Sequence, residues 1–185
     1  MKHIMIIAML CISQLAIGQK FFSKTGKITF SSEASLEKIE ATNTSASTVI
    51  DLGTGAMEWA VLIQGFQFEK SLMKEHFNEN YMESTKYPKA VFKGKIDNPS
   101  SVNLSKDGAY EVTVTGQLEI HGVSKPVTTK GTINVKKGAI ESASSKMSVV
   151  VADYGIEIPK LVADNISKTV DISVQADYQP LNAVR

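Results

Sequence analysis

The chain has 185 residues, 43% of them apolar and 21% charged, with 20 Lys plus Arg against 19 Asp plus Glu. That length suits one domain, and the composition is globular, which excludes a disordered, collagenous or coiled-coil chain. Balanced charge gives no basic footprint for nucleic acid, and no stretch reaches the ~18 consecutive apolar residues of a spanning helix.

The first residues read as an address. Met1-Lys2-His3 is a short basic start, Ile4 to Ile12 is an apolar run too short to cross a bilayer, and Ala16-Ile17-Gly18 sets small residues where a signal peptidase reads. This predicts a signal peptide over residues 1–18, cleaved between Gly18 and Gln19, and a periplasmic or secreted product. The alternative is a buried N-terminal helix. Cys11 lies inside the apolar run behind Met9-Leu10, bulky residues where a lipoprotein needs small ones, so no lipid anchor is expected. Cleavage would remove the only cysteine, leaving no thiol for a disulfide or a metal. Stability then rests on the core of a single domain over residues 19–185.

Beyond the leader, short alternating runs recur. Phe22, Gly26, Ile28 and Phe30 share one parity against Ser23, Thr25, Lys27 and Thr29, and a weaker strand follows near Leu36 to Asn43. Met57, Trp59, Val61 and Ile63 alternate with Glu58, Ala60 and Leu62. Glu69 to Ser84 breaks the rhythm: it has no β-branched residue, Gly or Pro, and Met73, Phe77 and Tyr81 fall at i, i+4 and i+8. This predicts one amphipathic helix of about four turns over residues 69–84, ended before Tyr87-Pro88. Such a helix either covers an opening or packs on the outside.

Alternation then resumes in Ala90, Phe92, Gly94 and Ile96, in Val112, Val114, Gly116, Leu118 and Ile120, and in Val127, Thr129, Gly131, Ile133 and Val135. A weaker strand spans Ala139 to Val151, and Val170, Ile172, Val174, Ala176 and Tyr178 close the series. Lys106-Asp107-Gly108 and Lys136-Lys137-Gly138 supply the positive φ of tight hairpins, and Pro126 suits a strand start. Period-two alternation with one dry face is the antiparallel habit. About eight such strands favour closure into a barrel, which removes exposed edges. The fold class is therefore all-β: an eight-stranded antiparallel barrel with one helix.

Residues for catalysis or metal binding are sparse. His76 and Glu79 sit at i, i+3, a spacing metal sites use, but two ligands without a second helical histidine fall short of a zinc motif. No serine occupies a G-x-S-x-G turn, no phosphate-cradling glycine loop is present, and Asp153 and Asp164 have no evident partner. No metal, cofactor or catalytic residue is predicted. The aromatic residues cluster early, and the inward glycines at 26, 94, 116 and 131 either leave room for a guest or mark bends.

The run Leu72-Met73-Lys74-Glu75-His76-Phe77-Asn78-Glu79-Asn80-Tyr81-Met82-Glu83-Ser84, then Tyr87-Pro88-Lys89-Ala90-Val91-Phe92, resembles the YceI-like family. So do Gly116 to Val127, with His121-Gly122-Val123-Ser124-Lys125-Pro126-Val127, and Asp153-Tyr154-Gly155-Ile156. The helix motif is similar to that of secreted Bacteroidetes-type members, and the resemblance covers roughly residues 20–180. It implies a lipocalin-like barrel that binds a polyisoprenoid or similar amphiphilic lipid in its interior, as a carrier or sequesterer rather than an enzyme. The inward residues Phe30, Trp59, Val61, Phe92, Val114, Leu118, Ile172 and Val174 would line that interior, with Phe77 and Tyr81 capping it. Two family features are missing: Lys24-Thr25-Gly26 stands where an early histidine-serine pair is usual, and Val151 or Ala152 replaces an arginine before the D-Y-G turn. The competing readings are a filled-barrel stress or interaction protein and an enzyme on a lipid-like or quinone-like substrate. No nucleic-acid partner and no transmembrane segment in the mature chain are expected, and a homodimer is admitted.

Overall fold

The computed structural model describes residues 19–181; the predicted signal peptide lies outside them. Ten strands form one sheet: β1 (Lys20–Glu33), β2 (Lys38–Asp51), β3 (Ala56–Leu62), β4 (Gln67–Phe68), β5 (Lys89–Ile96), β6 (Gly108–Ile120), β7 (Val123–Lys136), β8 (Ala139–Val150), β9 (Thr169–Asp177) and β10 (Gln179–Pro180). The two-residue strands β4 and β10 are extensions. The eight long strands follow one another around the barrel in chain order, each antiparallel to its neighbours, and β1 pairs with both β2 and β9 to close it.

Two connections are two-residue turns with both residues at positive φ, His121-Gly122 between β6 and β7 and Lys137-Gly138 between β7 and β8, the geometry that matches strand twist. The segment 106–108, expected as a tight hairpin, instead ends a longer loop from Asp97, and Asp107 Oδ1 accepts the backbone N–H of Lys137 at 2.9 Å. Pro126, expected at a strand start, is the fourth residue of β7, paired with Gln117 of β6. It is tolerated there because β7 has no ladder partner on its other side before Gly131.

Bulges correct the simple parity. On β1, Phe21 and Ser23 are buried, Lys24 and Thr25 are both exposed, and Gly26 and Ile28 are buried, so Phe22 does not share the inward face of Ile28. The matching irregularity on β2 is held by Asn43, only 1% exposed: its Nδ2 donates to Leu62 O at 3.0 Å, and its Oδ1 accepts from Ser45 N and Oγ at 2.8 and 2.9 Å. A buried amide that meets its hydrogen-bonding needs locally lets two consecutive residues, Thr44 and Ser45, face outward. The strand runs on to Asp51, well past the expected Asn43, through the small polar stretch Thr44–Thr48 that gives little hydrophobic signal.

The helical insertion between β3 and β5 is shorter than the predicted 69–84. Helix α1 (Ser71–His76) passes into a π turn, Phe77–Tyr81. Asn78 Nδ2 donates to Lys74 O at 2.7 Å, a side chain competing with the backbone ladder. The following N–H groups take wider bonds, Met82 to Phe77 O at 2.9 Å and Ser84 to Asn78 O at 2.8 Å, and Glu83 turns the chain at φ +41°.

The barrel has two unlike ends. The end holding the turns 52–55 and 137–138 is solid, with Ile50, Ile96, Ile133 and Ile140 almost fully buried. Tyr178 reaches into it and shares a 2.9 Å hydrogen bond with the Thr48 hydroxyl, and burial pushes its phenol well above the ordinary tyrosine range. The unfolded phenol ionises as pH passes about 10 while the folded one holds its proton, so folding stability falls as pH rises through that window. Tyr178→Phe should lower neutral-pH stability by about 1 kcal/mol, since it orphans the Thr48 hydroxyl. It should also flatten the loss of melting temperature between about pH 10 and 12; an unchanged alkaline slope would refute this role.

Candidate ligand cavity

The opposite end carries the turn 34–37, the helical insertion, the His121-Gly122 turn and the long β8–β9 connection 151–168. Here the barrel is hollow, with a cavity of about 450 Å³, within the ~300–1,000 Å³ range of small-molecule sites. The reason lies in how its large side chains are seated. A methyl built on Gly26 would meet Trp59 Cζ3 at 2.8 Å, and one on Gly116 would meet Phe92 Cε2 at 2.7 Å. Gly94, paired with Gly116, would place a methyl 2.5 Å from Phe92 Cζ. These glycines do not leave bare gaps: they let Trp59 and Phe92 lie against the wall instead of across the lumen, and Gly26 also falls in the β1 bulge. Facing them are the small side chains Gly131, Ala143 and Ser145.

Each of the ten residues singled out from the sequence borders this cavity: Phe30 from β1, Trp59 and Val61 from β3, Phe92 from β5, Val114 and Leu118 from β6, Ile172 and Val174 from β9, and Phe77 and Tyr81 from the π turn. Phe30, Phe66, Phe68 and Phe77 pack as a cluster with ring centroids 5.0–5.8 Å apart. Such pairs contribute about 0.5–1.5 kcal/mol each beyond area burial, so the cluster anchors the helix to β1. Met73, His76, Phe77 and Tyr81 face the lumen from it.

The β8–β9 connection, noted in the sequence only for Asp153-Tyr154-Gly155-Ile156 and Asp164, was not expected to line the cavity. Tyr154, Ile156, Ile158, Val162 and Ile166 line the cavity from there, and Ser167 N donating to the buried Ser32 Oγ at 2.8 Å ties that loop to β1. The available signal was its apolar content, too high for a solvent-facing loop. Also missed was Met147, inward on β8 only because a register shift near Ile140 resets parity.

The wall is slit between β7 and β8. Their ladder runs only from Gly131↔Ser145 to Lys136↔Ala139. Towards the hollow end the two strands are bridged by side chains instead: Thr129 Oγ1 donates to Lys146 O at 2.9 Å and Ser145 Oγ to Lys130 O at 2.7 Å. Thr129 and Ser145 at the slit border the cavity, as do Thr132 and Ser144 in the adjoining ladder.

A latch closes the corner beside the slit. His121 Nε2 lies 2.9 Å from Glu83 Oε2, its Nδ1 lies 3.2 Å from Tyr154 O, and the Tyr87 ring meets it edge-on at 4.5 Å. Both ring nitrogens thus face oxygen atoms of other segments. One side chain thereby joins the helical insertion, the β6–β7 turn and the β8–β9 connection. Among the described residues no three His, Cys, Asp or Glu side chains group as a metal site, and no helix is long and apolar enough to cross a membrane.

Two outcomes follow from this geometry. Gly116→Ala should lower stability by about 1–3 kcal/mol through overpacking against Lys93 O, Gly94 Cα and the Phe92 ring; a neutral effect in denaturant titration would show that this close approach is not needed. His121→Ala should lower stability by about 1–2 kcal/mol by removing its contacts to Glu83 and to Tyr154 O. Hydrogen exchange should quicken first at residues 82–87 and 151–156, and uniform exchange would contradict the latch.

A profile of the YceI-like domain matches residues 13–178. A UPF0312 protein of Pseudomonas putida strain W619 is 30% identical over 105 residues, 54% of this chain and 50% of that protein. A UPF0312 protein of Pseudomonas putida strain GB-1 matches to the same extent, so the alignment spans about half the length of these curated relatives. Among solved structures, a polyisoprenoid binding domain from Saccharophagus degradans implicated in plant cell wall breakdown is similar at TM-score 0.73 and 16% identity, covering 88% of this chain and 99% of that one. Burkholderia cenocepacia BcnA is similar at TM-score 0.63 and 16% identity, over 81% and 94% of the two chains. A Campylobacter jejuni YceI protein reaches 0.52 at 20% identity, over 75% and 84%. At such identities the structural likeness carries the fold, and the profile match carries the family. An up-and-down barrel hollow at its helix-bearing end, matched along nearly all of its described length, places this chain in the YceI-like domain family.

Proposed function

We propose that this protein binds a long-chain apolar ligand, a polyisoprenoid or similar amphiphilic lipid, inside the barrel, and acts as an exported soluble carrier or sequesterer. The observation that carries the reading is the hollow, apolar half of a barrel whose other half is packed solid. A filled-barrel interaction protein would have no use for Trp59 and Phe92 being drawn back against the wall. His121, beside the lumen, is engaged with Glu83 and Tyr154 O rather than aimed into the cavity, which favours binding over catalysis. The polyisoprenoid binding domain from Saccharophagus degradans, similar in fold, points the same way. Affinity would come from burial at about 0.8 kcal/mol per CH₂, with a few polar groups at the mouth orienting the head. The cavity is built by one chain, so this reading needs no second copy. Export and a periplasmic or secreted location rest on the leader sequence.

Native mass spectrometry on protein purified from membrane-containing cells, followed by organic extraction, tests the proposal. A stoichiometric apolar adduct is expected, and the single tryptophan, Trp59, should report added prenyl lipid through its emission. Narrowing the lumen with Ile172→Phe plus Val174→Phe should abolish both signals while the far-ultraviolet spectrum stays that of a β-barrel. A clean mass together with an unresponsive Trp59 would overturn the reading.

A further inference from the structure

The lining of the cavity says what kind of head its ligand carries. Among the described residues that border it there is no lysine or arginine; the ionisable ones are Glu37, His76, Tyr81 and Tyr154. Burial pushes both phenols upward, with Asp153 adding to the effect at Tyr154, so they remain neutral hydroxyls. The ammonium groups of the helical insertion have other partners. Lys70 Nζ is 3.1 Å from Glu37 Oε1, Lys74 Nζ donates to Gln67 Oε1 at 3.2 Å, and Lys86 Nζ lies 4.8 Å over the Tyr87 ring. Glu37 and Lys70 neutralise one another, so an anionic head drawn to this mouth would find no free cation in the lining. Anions leave water readily only for charge-assisted partners. What the lining offers instead are uncharged hydrogen-bonding groups, Tyr81 and Asn165 among them.

The volume limits the tail. A 150 Å³ apolar cavity accommodates benzene, about 25 Å³ per carbon. At that density about 450 Å³ holds about 18 carbons, far fewer than a long polyprenyl chain.

Resting on the binding function proposed above, we infer that the ligand is an uncharged lipid, such as a prenyl alcohol or another neutral-headed chain, with about 18 to 20 carbons buried in the barrel. Diphosphates and carboxylates of the same tail are selected against.

The full exported chain is titrated with geranylgeraniol and with geranylgeranyl diphosphate, identical C20 tails, reading Trp59 emission and confirming stoichiometry by native mass spectrometry. The alcohol should bind at least tenfold more tightly. In a prenyl alcohol series, affinity should climb from C10 to C20 and change less than about twofold from C20 to C30, because the excess tail stays in water. Glu37→Lys should narrow the gap between alcohol and diphosphate by at least tenfold. Equal or tighter binding of the diphosphate, a steep rise continuing to C30, or an unchanged gap in Glu37→Lys would each overturn the inference while leaving lipid binding intact. Failure of every prenyl compound to bind would overturn the function and this inference together.

Discussion

Closure through β1 is the constraint on which the rest of the molecule depends. Because β1 pairs with β2 along its length and with β9 over Lys27–Ser31, every long strand has two neighbours over at least part of its course. Alternation along each strand then divides side chains between solvent and a shared lumen. A closed antiparallel wall satisfies its own backbone groups, so the lumen is free to be packed or empty according to side-chain volume alone. The bulge at Lys24-Thr25 falls where β1 exchanges the short β10 for β9 as its neighbour, and the buried Asn43 holds the matching irregularity in β2.

Within that closed wall, volume is distributed unevenly along the axis. Isoleucines from β2, β5, β7 and β8 converge at one end and fill it to interior density. At the other end the largest rings are withdrawn onto glycine, and opposite them stand Gly131, Ala143 and Ser145. A cavity and a stable core therefore coexist in one small domain: the solid end supplies cohesion and the hollow end can stay open. The slit between β7 and β8 belongs to the same division, since ladder bonds give way to side-chain bridges where the lumen opens.

The hollow end is closed by three segments that are distant in sequence. The phenylalanine cluster fixes the helical insertion to β1, the Ser32–Ser167 bond fixes the β8–β9 connection to the same strand, and His121 ties both to the β6–β7 turn. Each contact is local and modest, yet together they set the polarity of the mouth. Lysines of the helical insertion are recruited into pairs on the outside, and the cavity lining carries no lysine or arginine among the described residues.

Period-two alternation in eight segments, the turn residues and one helix-period interruption determined the class of fold, since a side chain's face follows from its position along a strand. The same parity led to the seven inward residues from Trp59 to Val174 on the strands where it ran undisturbed, β3, β5, β6 and β9, while Phe77 and Tyr81 followed from helical spacing. It failed where one extra residue resets the count, at Phe22 and beside Ile140, and bulges of that kind have no reliable sequence mark. The helix ended early because Asn78 turned its amide onto its own backbone, a choice made by geometry rather than composition. Whether the barrel is filled or hollow was decided only by the tertiary structure: the same glycines, tryptophan and phenylalanine can pack across a lumen or against its wall, and which occurs depends on the register that sets Gly94 opposite Gly116 beneath the Phe92 ring.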